Sequence, residues 1–385
     1  MAWLLLFHLL LTLLLVPNSL AQAPQPLAQA PQPLGCQTIC GDLNITYPFG
    51  IGQGCALSKE FELNCTRNKN GTYNTFFFNV EVVNISLFPS QARIKTPISW
   101  QCYNSTAKNV SQSTWQLSLT TTPFRFSNTK NKFTAIGADT LAYFDLHNGT
   151  IWYVTGCVSV CSSLQGLFNG SCTGIGCCQI AIPLGMNYYK VRFDPNYNNS
   201  FVSSFGQCSY AVLIEADSFN FSTAYITTTN FFDDNNGKVP VVVDWAIGNE
   251  TCMVAQHNNS TSYACVSSNS RCVDSTNGPG YFCSCEEGYK GNPYLYGGCT
   301  DIDECQQNKS SCTGICTNTQ GSFICSCPRG THAVDNSSRD CNNDTRVPLW
   351  VKLVIEASGD GDGERDWKAD GESEEKEARD KAPSI

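Results

Sequence analysis

The chain has 385 residues, 23 of which are cysteine, and a formal net charge of −9 at pH 7. This length accommodates two or more domains, and so many cysteines with only 15% charged residues are typical of a disulfide-rich protein from an oxidising compartment. A location in the cytosol is therefore excluded, and the charge balance predicts no nucleic-acid partner.

The amino terminus carries an apolar stretch from Trp3 to Val16, followed by the small residues Ala21 and Ala23. This pattern predicts a secretory signal peptide over residues 1–23, with cleavage after Ala21 or after Ala23. About 14 apolar residues are too few to span a bilayer comfortably, which disfavours a transmembrane helix here. Residues 24–35 repeat a proline-rich heptad and predict an extended linker.

The region from Cys36 to Gly248 contains short runs of β-branched and aromatic residues, such as Thr75–Val83 and Ile151–Val154, separated by turn residues. These runs predict strands, and the lack of a long 3.6-residue periodicity predicts few, short helices. Asp233 and Asp234 lie in a Phe-Phe-Asp-Asp-Asn-Asn-Gly run that predicts a solvated turn rather than paired catalytic carboxylates. Cys177 and Cys178 are expected in two separate structural disulfides rather than in a metal or redox site.

Sixteen Asn-x-Ser/Thr sequons indicate a heavily glycosylated extracellular surface. The predicted glycosylation sites are Asn44, Asn64, Asn70, Asn84, Asn104, Asn109, Asn148, Asn169, Asn198, Asn220, Asn249 and Asn308.

Two six-cysteine units follow, over residues 249–299 and 301–341, and both resemble EGF-like modules. Six cysteines in so short a segment supply the constraint that a small core cannot. The resemblance places all twelve in disulfides, and in the second unit it implies the pairs Cys305–Cys316, Cys312–Cys325 and Cys327–Cys341. In the first unit the half-cystines are Cys252, Cys272, Cys265, Cys283, Cys285 and Cys299.

The second unit begins with Asp301-Ile302-Asp303-Glu304 and resembles the calcium-binding EGF modules. Calcium takes six to eight oxygen ligands. The resemblance implies side-chain ligands from Asp301, Glu304 and Asn318, and main-chain carbonyl ligands from Ile302, Thr319 and Ser322. The first unit lacks the acidic pair and predicts no calcium. Only Thr300 separates the two units, so a bound ion is expected to stiffen the joint between them.

Several motifs in fixed order carry a further resemblance. They are Gly35-Cys-Gln-Thr-Ile-Cys-Gly41, Ile45-Thr-Tyr-Pro-Phe-Gly-Ile-Gly52, Asn131-Lys-Phe-Thr-Ala-Ile-Gly137, Gly174-Ile-Gly-Cys-Cys-Gln179 and Cys208-Ser-Tyr-Ala211. Together they resemble the ectodomain of plant wall-associated receptor kinases. The resemblance implies a galacturonan-binding domain over residues 36–102, a cysteine-rich β region over 103–248, and the two EGF-like modules. The expected fold class is mainly β and disulfide-rich, with a disordered acidic carboxyl-terminal tail.

The resemblance implies pectin as a partner, together with full-length wall-associated kinases or other wall proteins. Pectin is a polyanion, so its site needs Lys or Arg spaced to meet successive carboxylates. Pairs at i, i+2 place both charges on one face of a strand. The candidates are Arg67 with Lys69, Arg93 with Lys95, Arg125, and Lys130 with Lys132. The alternative is a structural or protein-interacting EGF rod that binds no carbohydrate.

One departure from the family concerns cysteine. Family members carry cysteine after Gly137, whereas this chain has Ala138. The EGF-like modules use twelve cysteines and leave eleven, so one is expected to lack its usual partner. It is buried as a free thiol, pairs out of pattern, or bonds another molecule, and the sequence does not say which cysteine it is.

A second departure concerns the carboxyl terminus. The apolar run from Pro348 to Ile355 resembles the start of a transmembrane helix but stops after about seven apolar residues, too few to span a bilayer. Residues 342–385 therefore predict a truncated juxtamembrane segment and a disordered acidic tail. The chain is expected in the cell wall, with membrane association only if a longer form exists.

No catalytic pattern is present in the sequence. A glycine-rich loop, a His-Arg-Asp segment and an Asp-Phe-Gly motif are all missing, which excludes a protein kinase within these residues. His147, His257 and His332 lie in polar or loop-like settings, and no serine occupies a nucleophile elbow. The sequence therefore predicts a non-enzymatic protein that binds polysaccharide and calcium.

Overall fold

The structure is a computed structural model that describes residues 35–148, 150–257, 263–307, 312–333 and 341–343. The predicted signal peptide, the linker up to residue 34, Asn308 and the tail beyond residue 343 lie outside these residues. The chain forms two compact units. The first runs to Asp303 and includes Gln320–Ser322, and the second holds Glu304–Thr319 and the chain from Phe323 onward.

The first unit is built from strands, which confirms the predicted β class. In chain order they are β1 (Ile39–Cys40), β2 (Leu43–Asn44), β3 (Gly50–Ile51), β4 (Glu62–Arg67), β5 (Tyr73–Phe77), β6 (Val80–Ser86), β7 (Gln91–Pro97), β8 (Ser99–Asn104), β9 (Asn109–Ser113), β10 (Gln116–Ser118), β11 (Phe124–Phe126), β12 (Asn131–Ile136), β13 (Asp139–His147), β14 (Trp152–Val160), β15 (Cys177–Ala181), β16 (Tyr188–Phe193), β17 (Cys208–Glu215), β18 (Lys238–Trp245), β19 (Ser270–Asp274), β20 (Tyr281–Cys285), β21 (Tyr289–Gly291) and β22 (Cys299–Asp301).

Three large sheets organise these strands. Their orders are β11-β18-β7-β6-β5-β4-β3, β15-β12-β17-β8-β9 and β10-β16-β13-β14. β7 pairs with β18, and β8 pairs with β17, so strands from both sides of residue 102 share the same sheets. The predicted boundary at residue 102 thus falls inside one folded body.

The four-stranded sheet shows the alternation expected of a half-buried sheet. Along β13 every second side chain is buried, including Phe144 and Leu146. Phe144 stacks on Phe133 with ring centroids 4.4 Å apart, and the Phe144 ring centroid also lies 5.2 Å from that of Tyr189. One face of this sheet therefore covers the main core, and the other faces solvent.

Helices are few and short, as predicted: α1 (Ala224–Thr227), α2 (Asn230–Asp234), α3 (Cys252–His257), and the 3₁₀ turns Lys59–Phe61 and Ala216–Ser218. The prediction of a turn at Asp233 and Asp234 was wrong, because both lie in α2. Its Phe231 is buried in a second core cluster, which also includes Ala138, Cys161, Tyr210 and Val239. The Thr229 hydroxyl donates to the Asp233 carboxylate. The turn follows at Asn236 and Gly237, which have positive φ.

The run Thr75–Val83 is not one strand. β5 ends at Phe77 and β6 begins at Val80, and Phe78 between them has a φ of 51°. Thr75 pairs with Val82 across the resulting hairpin. Asn79 is the turn-favouring residue between the two strands, and it was overlooked because neither Gly nor Pro accompanies it.

Disulfides join the segments of the first unit. They are Cys36–Cys55, Cys40–Cys65, Cys102–Cys208, Cys157–Cys178, Cys172–Cys177, Cys252–Cys272, Cys265–Cys283 and Cys285–Cys299. The vicinal Cys177 and Cys178 thus belong to two separate structural disulfides, as predicted.

The unpaired cysteine is Cys161, which is buried. Its backbone N–H donates to the Ala138 carbonyl at 2.7 Å. The next pair in the hairpin of β13 and β14 is Asp139 with Val160. Ala138 therefore lies opposite Cys161, and both side chains belong to the second core cluster. Burial raises the pKa of the Cys161 thiol. Of the three alternatives left by the sequence, the structure contains the buried free thiol.

The first EGF-like module packs against the β sheets rather than standing apart from them. The Asn277 amide donates to the Phe126 carbonyl at 3.0 Å and to the Asp244 carboxylate at 2.7 Å. The Asn292 amide donates to the Tyr47 carbonyl at 2.6 Å. This module and the β region therefore belong to the same compact unit.

The second unit is an EGF-like module with β23 (Ile315–Thr319), β24 (Ser322–Ser326), β25 (Thr331–Ala333) and β26 (Cys341–Asn343). Its disulfides are Cys305–Cys316, Cys312–Cys325 and Cys327–Cys341, the pairing that the EGF resemblance implies. Within the described ranges no helix has the length and apolar character needed to cross a membrane.

Candidate ligand-binding cleft and calcium site

A cleft of about 660 Å³ opens in the first unit between three segments. Leu57–Phe61 form one side, the run from Thr120 to Arg125 forms a second, and Ile247–Asn249 form the third. Hydroxyl, carboxylate and guanidinium groups alternate along its wall with a few apolar side chains. The polar side chains are Ser58, Glu60, Thr120, Thr121, Thr122, Arg125 and Asn249.

Arg125 is held in this wall by the short strand β11. Phe124 and Phe126 on either side of it are buried, so the alternation of the strand turns Arg125 away from the core. Its Nη1 donates to the Phe124 carbonyl at 2.7 Å and to the Thr122 carbonyl at 3.1 Å. Burial lowers the pKa of Arg125, which nevertheless stays protonated.

Arg125 has no carboxylate within salt-bridge distance among the described residues. Its cross-strand partner is Asp244, whose oxygens accept from Gln91 at 2.8 Å and from Asn277 at 2.7 Å. A half-buried charge is costly unless it is paired, so a guanidinium of this kind suits an anionic ligand. The cleft therefore offers one fixed cation among hydroxyl groups.

The other predicted basic residues lie elsewhere, and several already have partners. Arg93 and Lys95 share one face of β7, as predicted, but Arg93 contacts Glu215 at 2.5 Å and Lys95 contacts Glu81 at 3.5 Å. Arg125 is the one member of the predicted basic set that lines the cleft.

Two of the predicted i, i+2 pairs do not lie within a strand. β4 ends at Arg67, so Lys69 lies in the following turn. β12 begins at Asn131, so Lys130 precedes the strand that contains Lys132, and Lys130 lies 3.8 Å from Asp217. The prediction of a shared strand face was wrong for these pairs, because the strand boundaries fall between the two basic residues.

The hydroxyl groups of the cleft were missed from the sequence. Thr120-Thr121-Thr122 directly precede Pro123 and Arg125, and this run was the available signal. Glu60 is the one carboxylate in the wall. The Ser58 hydroxyl donates to it and, together with a backbone N–H, holds its pKa below the usual value. Glu60 is therefore ionised at mildly acidic and neutral pH.

The predicted calcium ligands divide between the two units. Asp301, Ile302 and Ser322 belong to the first, and Glu304, Asn318 and Thr319 belong to the second. In the first unit the Asp301 carboxylate accepts the Gly321 backbone N–H at 2.5 Å.

In the second unit Oε2 of Glu304 is buried and accepts no hydrogen bond from the residues that the structure describes. A buried carboxylate oxygen in that state fits a cation ligand. Across the described residues no three His, Cys, Asp or Glu side chains form a cluster that could hold a metal. The predicted set contains only two carboxylates, because carbonyl and amide oxygens also bind calcium, and the buried Oε2 of Glu304 fits such a ligand.

The described sequon asparagines are exposed or partly exposed. Asn249 lies at the rim of the cleft, and Asn148 lies at the turn between β13 and β14. Attached glycans are therefore sterically possible at each of these asparagines.

Comparison with known families agrees with this architecture. Residues 36–96 match the family described as wall-associated receptor kinase galacturonan-binding, and residues 301–343 match the calcium-binding EGF domain. The chain is 39% identical over 325 residues to wall-associated receptor kinase 2 of Arabidopsis thaliana. The aligned region covers 83% of this chain and 42% of that relative. This chain is an ectodomain of the wall-associated receptor kinase type.

Other relatives give the same picture for this wall-associated receptor kinase-type ectodomain. Wall-associated receptor kinase 5 of Arabidopsis thaliana is 36% identical over 310 residues, with 77% of this chain and 39% of the relative covered. Wall-associated receptor kinase 4 of the same plant is 35% identical, with 83% and 42% covered. The chain thus spans less than half the length of these relatives. No solved structure matches it.

The cleft extends beyond the segment that matches the galacturonan-binding family. Leu57–Phe61 lie within residues 36–96, whereas the run from Thr120 to Arg125 and Ile247–Asn249 come from later in the chain. β11 and β18 are neighbours in the seven-stranded sheet, which places the run from Thr120 to Arg125 beside Ile247–Asn249.

Proposed function

We propose that this ectodomain is an extracellular, non-catalytic protein that binds galacturonan through the cleft and calcium through its second EGF-like module. The observation that carries the polysaccharide assignment is Arg125, a half-buried cation without a carboxylate partner in a hydroxyl-lined cleft. Galacturonan presents one carboxylate on each sugar and hydroxyl groups between them. A guanidinium binds carboxylate in bidentate geometry, and threonine and serine hydroxyls pair with sugar hydroxyls.

The proposed location outside the cell rests on the predicted signal peptide over residues 1–23, the disulfides and the accessible sequons. We also propose the predicted division into residues 36–102, 103–248, 249–299 and 301–341 as sequence segments, although the first three share one folded body. Full-length wall-associated kinases and other wall proteins are further proposed partners.

The direct test measures binding of the purified chain to an oligogalacturonide and to a neutral glucan of equal length. We expect a preference for the oligogalacturonide that weakens as salt is added. Arg125→Gln is expected to lower the affinity for it about tenfold, the value of a lost charge-assisted hydrogen bond. Arg125→Lys keeps the charge without the bidentate geometry, so its affinity should lie between those of the parent and of Arg125→Gln.

Lys132→Gln is the matched control, since it removes an exposed positive charge of the same chain outside the cleft. Equal binding of both glycans, or equal losses in Arg125→Gln and Lys132→Gln, contradicts the cleft assignment. Asn249→Gln removes the sequon at the rim and checks that a glycan there does not mask the site.

Glu60→Gln is expected to strengthen oligogalacturonide binding about threefold at low salt, because an exposed like charge costs a few tenths of a kcal/mol to about 1 kcal/mol. The ionised Glu60 shares the cleft with the bound carboxylates and repels them. The affinity ratio of variant to parent should approach one in 0.5 M salt, where the Debye length falls to about 4 Å. Unchanged affinity at low salt places the ligand away from Glu60.

Support for calcium comes from the buried Oε2 of Glu304 and from the match to the calcium-binding EGF family. A bound divalent cation supplies positive charge that holds carbonyl and carboxylate oxygens in fixed geometry. The predicted ligands are Asp301 and Glu304, with Asn318 and the carbonyls of Ile302, Thr319 and Ser322.

A second candidate function is protein contact through the second EGF-like module. It is favoured by Ile315 and Ile324, which are apolar yet 56% and 58% exposed. We expect the parent to retain a wall-protein partner, and the variant with serine at both positions to lose it. Unchanged retention removes this candidate.

A further inference from the structure

The outer face of the four-stranded sheet carries large aromatic side chains in solvent. Trp152 is 63% exposed, and its ring lies 4.5 Å from the His147 ring and 5.5 Å from the Tyr188 ring. All three residues belong to strands of this sheet, at the end where β13 turns into β14. A largely exposed tryptophan with two partly exposed rings beside it marks an interaction surface rather than ordinary solvated strand.

These rings form one row across the sheet that ends beside the cleft. Trp152 pairs with His147, His147 with Tyr188, and Tyr188 with Ser118. Adjacent strands lie about 4.8 Å apart, so the row is about 14 Å long. The Ser118 hydroxyl lies 2.8 Å from that of Thr120, which lines the cleft. The aromatic row and the cleft are therefore continuous.

The next row of the same face carries charged side chains. Asp145 pairs across the sheet with Lys190, and Lys190 pairs with Gln116. Arg192 neutralises Asp145 through two hydrogen bonds of 2.6 and 2.8 Å. Lys190 has no carboxylate within salt-bridge distance in the described part of the chain. One cation thus remains beside the aromatic row for an anionic ligand.

We propose that the row Trp152, His147, Tyr188 and Ser118 is a stacking surface that extends the cleft and holds further sugars of the same acidic polysaccharide. The C–H face of a pyranose ring packs on an aromatic ring, whose face is electron-rich. Lys190 meets a carboxylate of this segment, and Arg125 meets one in the cleft. This inference rests on the proposed function.

The test compares a short oligogalacturonide that fits the cleft with one several sugars longer. The parent is expected to bind the longer oligomer about tenfold more tightly. Trp152→Ala should remove this gain and leave the short oligomer unaffected, whereas Arg125→Gln should weaken both. Tyr153→Ala is the matched control, because Tyr153 is an exposed aromatic residue on the opposite face of the same strand.

An unchanged length gain in Trp152→Ala overturns the stacking surface. Equal binding of short and long oligomers by the parent, with Arg125 still required, also overturns it while the proposed function stands. Failure of both oligomers to bind overturns the two together. A further outcome is that Trp152→Ala lowers the affinity for the longer oligomer only when Asn148→Gln is also present. That result means that the glycan on Asn148 covers Trp152, and it overturns the polysaccharide site in the glycoprotein.

Discussion

Replacing Ala138 by cysteine is expected to remove the free thiol of Cys161 and to raise the free energy of unfolding by about 3 kcal/mol, the value for a loop of roughly 25 residues. Ala138 lies opposite Cys161 in the β13–β14 hairpin and is fully buried with it. Directly opposed residues in an antiparallel pair have Cα atoms about 4.5–5.5 Å apart and side chains on one face, which suits a disulfide.

The same chain already contains a disulfide with this arrangement, since Cys102 and Cys208 are cross-strand partners and are bonded. The measurements are thiol titration of the denatured, unreduced protein and the urea midpoint. Cys161→Ala removes the thiol without adding a bond and should give no gain. The double variant with Ala138→Cys and Cys161→Ala should also give none. Two titratable thiols in Ala138→Cys contradict the assigned geometry.

Replacing Glu304 by glutamine is expected to abolish calcium binding in the range of about 10⁻⁴–10⁻³ M that is usual for extracellular modules. Oε2 of Glu304 is buried and accepts no hydrogen bond within the described ranges of the chain, which suits a ligand of a cation. The amide keeps the shape and removes the charge. Calcium titration by calorimetry should therefore show no site in the variant.

A second readout separates loss of a ligand from general damage. Glu304→Gln should leave the calcium-free protein folded, whereas the calcium-dependent rise in stability should disappear. Glu287→Gln is the control, because Glu287 is an exposed acid of the first EGF-like module, which lacks the predicted calcium ligands. An unchanged titration in Glu304→Gln would remove Glu304 from the ligand set.

Local patterns in the sequence were sufficient for much of the fold. Cysteine spacing led to both EGF-like modules, and the structure contains the pairing implied for the second. Short β-branched runs led to the strands. The errors were also local, since the helix at Asp233 depends on the burial of Phe231, and the turn at Phe78 has no Gly or Pro to mark it.

The candidate site was predicted less completely. Seven basic residues were equal candidates in the sequence, because a side chain gives no sign of whether a carboxylate from a distant segment will reach it. Folding pairs Arg93 with Glu215, more than a hundred residues away, and leaves Arg125 beside Asp244, whose oxygens are already bonded. The aromatic row was missed because Trp152, Tyr188 and Ser118 come from three separate strands.

The sequence by itself determined the β-rich, disulfide-stabilised class of this ectodomain, its EGF-like modules and the acidic residues of the predicted calcium site. These features depend on spacing within a few tens of residues, so they are visible in the order of the amino acids. Tertiary structure decided that Cys161 is the unpaired thiol, that Arg125 lines the cleft and that the aromatic row continues from it. Each of these depends on strand pairing between distant segments, which is set by burial of the whole core.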